Sequence, residues 1–127
     1  MKRFQDLLVW QKAHQCVLDI YRATERFPAE EKYGLTSQMR RASISVSANI
    51  VEGHKRRSRR EFAHFMLIAE SSLEEVKYYL ELSRDLGYLL QEHMELLHEN
   101  AEEVGRMLYG LKLHLKQELN NAKASTL

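Results

Sequence analysis

Two Glu-x-x-His pairs, Glu61 with His64 and Glu95 with His98, carry the spacing that four-helix di-iron proteins use to present a carboxylate and an imidazole on one helix face. Their neighbours argue against a metal. If Met94 and Leu97 define an inward seam, His98 falls one residue past it on the outward side. Glu61 is needed as a capping residue at a helix start, and Glu25 and Glu52 sit at the last turns of their segments. His14, His54, His93 and His114 make no further pair at ligand spacing. Nucleophilic chemistry is equally unsupported: Ser43, Ser45 and Ser47 have no His and acid nearby in sequence. The chain has neither a Gly-rich phosphate loop nor a Gly-x-Ser-x-Gly elbow. Cys16, the lone cysteine, reads as a core or interface thiol in a reducing compartment. The expectation is no enzyme, no cofactor and no metal.

What remains is charge. His54-Lys55-Arg56-Arg57-Ser58-Arg59-Arg60 gathers cations at one connection, and Arg40 and Arg41 lie on the segment before it. Lysines and arginines so gathered neutralise phosphates and release counterions, a source of nucleic-acid affinity that is indifferent to sequence. The candidate nucleic-acid-binding set is therefore Arg40, Arg41, Lys55, Arg56, Arg57, Arg59 and Arg60. The alternative is a solvated loop, or a cation set that pairs with acidic helices of the same or a neighbouring chain. Net charge is only +1, but the acids concentrate between Glu70 and Glu103, so one region of the surface should be positive and another negative.

Four amphipathic segments must position these residues. Trp10, Ala13, Val17, Ile20 and Thr24 recur at helical steps, predicting a first helix from Asp6, as its cap, to about Arg26. Phe27-Pro28 ends it, and Pro28-Ala29-Glu30-Glu31 predicts a short helical turn. A second helix is expected from Leu35 or Thr36 to Val51 or Glu52, with Gly53 as a left-handed terminator. Ser43 to Ser47 alternates like a strand, but Met39, Ala42, Val46 and Ile50 keep helical spacing and no second strand exists to pair with. Glu52, facing the negative end of the helix dipole, calls for a cation from Arg41, Lys55 or Arg56, with Asn49 in the same network.

Ser58-Arg59-Arg60-Glu61 is a capping box, so a third helix starts at Arg59 and runs to about Leu86, closed by Gly87. Phe62, Phe65, Met66, Ala69, Leu73, Val76 and Leu80 form its inward stripe. Leu67, Ile68, Tyr78 and Leu82 leave apolar surface beyond one core, which suggests an oligomer interface. The last helix runs from about Gln91 to Leu119 on a regular seam of Leu90, Met94, Leu97, Ala101, Val104, Leu108, Leu111 and Leu115. Residues 1–119 read as one four-helix domain and 120–127 as a flexible C-terminal tail.

At 127 residues the chain fits a single domain that needs no disulfide, and 44% hydrophobic content with one Pro and five Gly favours helices. No basic-then-apolar leader opens it and no run approaches the ~18 apolar residues of a membrane span. A cytoplasmic protein without a membrane partner is expected.

The blocks Phe4-x-Asp6-Leu7-x-Val9-Trp10-x-x-Ala13, Phe27-Pro28-x-x-Glu31-x-Tyr33-Gly34-Leu35-Thr36-x-Gln38-x-Arg40-Arg41-Ala42, Asn49-Ile50-x-Glu52-Gly53 and Glu61-Phe62-x-x-Phe65-x-x-x-Ala69-x-x-Ser72 follow one another in order. With them the chain, from Phe4 to about Leu115, resembles the bacterial four helix bundle proteins first met as reading frames in intervening sequences of large-subunit ribosomal RNA genes. The resemblance implies an all-α, up-down-up-down antiparallel bundle assembled as a homopentameric ring. Related accessory proteins of diversity-generating retroelements look like basic pentamers that bind a reverse transcriptase and nucleic acid, and the near-neutral charge of this chain departs from them. Two roles stay open: weak, sequence-tolerant RNA or DNA binding by a basic rim, or a protein-interaction scaffold without a nucleic-acid role.

Overall fold

Chain breakers and caps set the element order. The computed structural model describes residues 3–125, in which α1 (Leu8–Thr24), α2 (Leu35–Lys55), α3 (Arg59–Asp85) and α4 (Gln91–Ser125) are accompanied by 3-10 turns at Phe4–Asp6 and Ala29–Glu31. Among the described residues there is no strand. The Ser43–Ser47 alternation is helical because burial follows the longer period: Met39, Ala42, Val46 and Ile50 all lie in the core.

The helix ends carry two corrections. Asp6 does not cap α1. Its Oδ2 instead accepts the Arg3 N–H at 3.3 Å inside the 3-10 turn, and α1 begins after the extended Leu7 without a side-chain cap. Gly53 does not terminate α2 either. The helix runs on to Lys55 and stops at the extended Arg56. Gly53 is buried within the helix, where a Cβ would lie 2.9 Å from Met66 Cε and Phe65 Cβ and 3.0 Å from Phe62 Cδ1. It is glycine because α2 and α3 cross there.

Ser58 caps α3 as expected, its Oγ accepting the Glu61 N–H at 3.2 Å, but the reciprocal bond from the Ser58 N–H to the Glu61 carboxylate that completes a capping box is not made among the described residues. At the far end Gly87, with φ +82°, takes the left-handed conformation. The Tyr88 N–H reaches the Ser83 carbonyl at 2.8 Å and the Gly87 N–H reaches the Arg84 carbonyl at 2.9 Å, the paired bonds of a Schellman ending. The seam of α4 begins at Met94 rather than Leu90, which is 77% exposed in the preceding loop, and Leu111 is only partly buried. The expected tail is helical through Ser125, and residues 126–127 lie outside the described part.

Short connections make consecutive helices antiparallel neighbours. Contacts join α1 with α2, α2 with α3, α3 with α4 and α4 with α1, while among the described residues the backbones of the diagonal pairs do not approach closely, which is the arrangement of an up-down-up-down four-helix bundle. Its axis is filled by Met39, Ile50, Met66, Leu80 and Leu108.

The two loops at one end are tied by Glu31. Its Oε1 accepts the Leu35 N–H at 3.2 Å, supplying the cap that α2 otherwise lacks, and its Oε2 accepts the Tyr88 phenol at 2.9 Å. That hydrogen bond raises Tyr88 above the ordinary phenol range. Phe27 stacks against the same tyrosine at 5.3 Å between ring centres.

Cys16 is partly buried between α1 and the core. Burial first, and then Asp19 and Glu103, push its thiol up from 9.0 to about 11. Two units fewer of ionisation mean roughly a hundredfold less thiolate at pH 8. Because the more basic thiolate is also the stronger nucleophile, native protein should react with a disulfide reagent at pH 8 at least about tenfold more slowly than urea-unfolded protein. Equal rates would place the thiol in water.

Candidate nucleic-acid interface

The turn between α2 and α3 delivers Lys55, Arg56, Arg57, Arg59 and Arg60 to one end of the bundle, all exposed. It does so because α2 ends at Lys55 and Ser58 restarts the chain as the cap of α3, leaving no room for a longer loop. Within the cluster the cations differ. Arg56 pairs with Glu52 at 3.3 Å and lies 4.8 Å from the centre of the Phe65 ring, so it is the cation that Glu52 required. Asn49 joins a different network, donating to the Ser45 carbonyl at 2.8 Å, while Ser45 Oγ meets Ser72 Oγ at 2.8 Å. Arg59 pairs with Glu118 of α4. Lys55, Arg57 and Arg60 have no ion-pair partner among the described residues.

Arg40 and Arg41 do not belong to this group. At 1.5 Å per residue they lie roughly 20 Å up α2 from Lys55. Arg40 is a strut between α1 and α2: its Nε donates to Thr24 Oγ1 at 2.9 Å, its Nη2 donates to the Tyr21 carbonyl at 3.3 Å, and its guanidinium stacks 4.3 Å from the centre of the Tyr21 ring. Two of its five N–H donors are used inside the fold. Arg41 is exposed on the same distant stretch.

The antiparallel return of α4 supplies what the local run did not contain. Lys112 and Lys116, one turn apart, come back beside the start of α3, where His64 also lies. Together with Arg59 and Arg60 they line a cleft of about 300 Å³ whose floor is Ala63, Leu67, Leu115 and Leu119. Lys112 is anchored by Glu70 at 2.7 Å, whereas Lys116 has no ion pair among the described residues. Glu118 stands at the edge, held by Arg59 and by His114 of its own helix. The Arg59 hydrogen bond, reinforced by His114, keeps its carboxyl below the usual carboxylate range. The four-residue spacing of Lys112 and Lys116 was visible in the sequence, but only the helix pairing connects it to Arg59 and Arg60.

Farther along α3 and α4 the balance reverses. Lys77 is shared by Glu74 at 2.9 Å and Glu102 at 3.1 Å, and Glu102 is held below the usual carboxylate range chiefly by that lysine. His98 sits 3.9 Å from Glu81 and 4.0 Å from Glu102, while Glu95 engages Gln91 at 2.7 Å, so the second Glu-x-x-His pair is divided between different neighbours. Among the described residues no three His, Cys, Asp or Glu side chains gather as metal ligands. No helix among them is long and apolar enough to cross a membrane.

The family model of the 23S rRNA-intervening sequence protein matches residues 5–110. The chain belongs to that family. A solved structure from Bacteroides thetaiotaomicron, described as a protein with unknown function from the S23 ribosomal protein family, shares the fold with a TM-score of 0.77. It is 24% identical, and the match covers 83% of this chain and 98% of that one. No curated protein matches the chain. The span matched by the 23S rRNA-intervening sequence protein family contains the α2–α3 turn and the α3 wall of the cleft. It stops short of Lys112 and Lys116, so the α4 wall is carried by residues outside it.

Proposed function

We propose that this protein is a non-enzymatic, homo-oligomeric helical bundle that binds RNA or DNA through its cationic end, weakly and with little sequence preference. The supporting observation is convergence: Arg59 and Arg60, which follow Lys55 and Arg57 in the α2–α3 turn, meet Lys112 and Lys116 in one cleft, although α3 and most of α4 separate them in sequence. Glu52, Glu118 and Glu70 neutralise Arg56, Arg59 and Lys112, while Lys55, Arg57, Arg60 and Lys116 have no ion-pair partner among the described residues. A phosphate backbone exploits such a surface without reading bases. Relative to the set read from the sequence, Arg40 and Arg41 drop out, Arg56 is half committed to Glu52, and Lys112 and Lys116 enter.

Tyr78, Tyr109 and Ile44 stay 42–59% exposed on the single chain, an apolar surplus that favours assembly with further copies. The homopentamer implied by the resemblance is the assembly proposed. The same surplus favours the second reading, a scaffold for a partner protein, of which a reverse transcriptase is the case the resemblance suggests.

Binding of a labelled structured RNA and a labelled single-stranded DNA across a salt series separates the two. With about four to six phosphate contacts, log affinity should fall against log salt with a slope of roughly −3 to −5. A variant carrying Lys55, Arg57, Arg60 and Lys116→Gln, checked for unchanged mass by light scattering, should lose at least about tenfold in affinity. Absence of binding by wild type at low salt overturns the nucleic-acid role and moves the search to protein partners.

A further inference from the structure

Among the described residues, Glu118 is the carboxylate that α4 brings to the cationic end. It is gripped on both oxygens, Arg59 Nε meeting Oε2 and His114 Nε2 meeting Oε1. A carboxylate held between a guanidinium and an imidazole occupies the place where either group would receive a phosphate oxygen. Beside it, Arg60 and Lys116 stand at the cleft with no ion-pair partner among the described residues, and the floor of Ala63, Leu67 and Leu115 is apolar. Ala63 and Leu115 belong to the core that packs α3 against α4, and Leu67 is left half exposed beside them.

We propose that the cleft between the first turns of α3 and the last turns of α4 is a phosphate subsite for single-stranded nucleic acid, with Glu118, outside its lining, as the internal competitor for Arg59 that a backbone phosphate displaces. It rests on the nucleic-acid role proposed above and says where on that surface one nucleotide is seated. The exchange is balanced in charge: one carboxylate leaves Arg59 and one phosphodiester replaces it. A cleft of about 300 Å³ is at the small end of ligand pockets and accepts a single nucleotide, whose sugar and base edge can lie on the leucines. A duplex holds its nucleotides stacked and paired, and cannot lower one of them into the cleft without breaking that stack.

The test is fluorescence anisotropy with a short labelled oligothymidylate over a salt series, comparing wild type, Glu118→Gln and Glu92→Gln. Glu92 lies in the first turn of α4, at the opposite end of that helix, and its replacement makes the same change in net charge. Glu118→Gln is expected to tighten binding about fivefold and to steepen the salt slope by about 0.7, because the phosphate on Arg59 is then no longer offset by a carboxylate released into solvent. Glu92→Gln should change affinity less than about twofold, because a charge that far away is screened. Lys116→Gln, which leaves the Arg59 pair in place, should weaken binding about threefold. If Glu118→Gln merely matches Glu92→Gln while wild type binds, the subsite is wrong and the broader nucleic-acid role survives. An equal gain on a duplex of the same length also overturns it, by placing the effect on the outer rim. If neither wild type nor Glu118→Gln binds at low salt, both proposals fall.

Discussion

Replacing Gly53 with valine is expected to destabilise the fold by about 3 kcal/mol, the upper end of what overpacking a core contact costs. In an ordinary helix interior the loss of glycine would be welcome, since glycine is worse than alanine by about 1 kcal/mol. Here the sign reverses because two of the three atoms in the way leave little room to retreat. Phe65 Cβ, 2.9 Å from the added carbon, is fixed to the α3 backbone, and Phe62 Cδ1 at 3.0 Å belongs to a ring packed against the core. Only Met66 Cε is the end of a flexible chain. Urea unfolding followed by circular dichroism measures the difference. Gly110→Ala is the counterpart, because a Cβ at Gly110 meets nothing within 4 Å. It should raise stability by about 0.5 to 1 kcal/mol. A valine at 53 that leaves the midpoint unmoved would mean that α2 and α3 do not cross at this residue.

Removing the Glu31 carboxylate is the second large effect expected. Glu31→Ala deletes the acceptor for the Leu35 N–H and for the Tyr88 phenol in one step, freeing the start of α2 and uncoupling the two loops at that end. Loss of a cap alone costs about 1 kcal/mol, and a hydrogen bond to a charged acceptor adds more, so the total expected is about 2 kcal/mol. Tyr88→Phe should have a smaller effect of the same sign. In the Tyr88→Phe background Glu31→Ala should lose less than it does alone, because the shared bond has already gone. Strict additivity of the two would show that the bond between the loops contributes nothing. Melting curves of the four proteins, run at one pH, decide the matter.

Much of the fold was legible because helices announce themselves locally. The Ser58 cap, the stop before Pro28 and the closing Gly87 each depend on residues within one or two turns, and each is found where local chemistry places it. The α4 seam was legible for the same reason, apart from Leu90 at its outer end. Asp6 was misplaced because an acid ahead of an apolar run can cap either an α-helix or a 3-10 turn. Gly53 was misplaced because a glycine near a helix end looks the same whether it turns the chain or lets another helix approach.

By itself, then, the sequence determined four helices, their order, most of their ends and a basic turn between the second and third. It also determined the family, through blocks whose residues cap, tie and cross the helices. Which cations share a surface was decided only by tertiary structure. Arg40 and Arg41 looked like neighbours of the basic run but stand roughly 20 Å from it along a rigid rod, with Arg40 spent on Thr24 and Tyr21. Lys112 and Lys116 looked remote but are brought to Arg59 and Arg60 by the antiparallel return of α4. Separation along a helix grows by 1.5 Å per residue, whereas a hairpin returns the chain to where it began. Proximity in sequence and proximity in space therefore part company wherever two long helices pair.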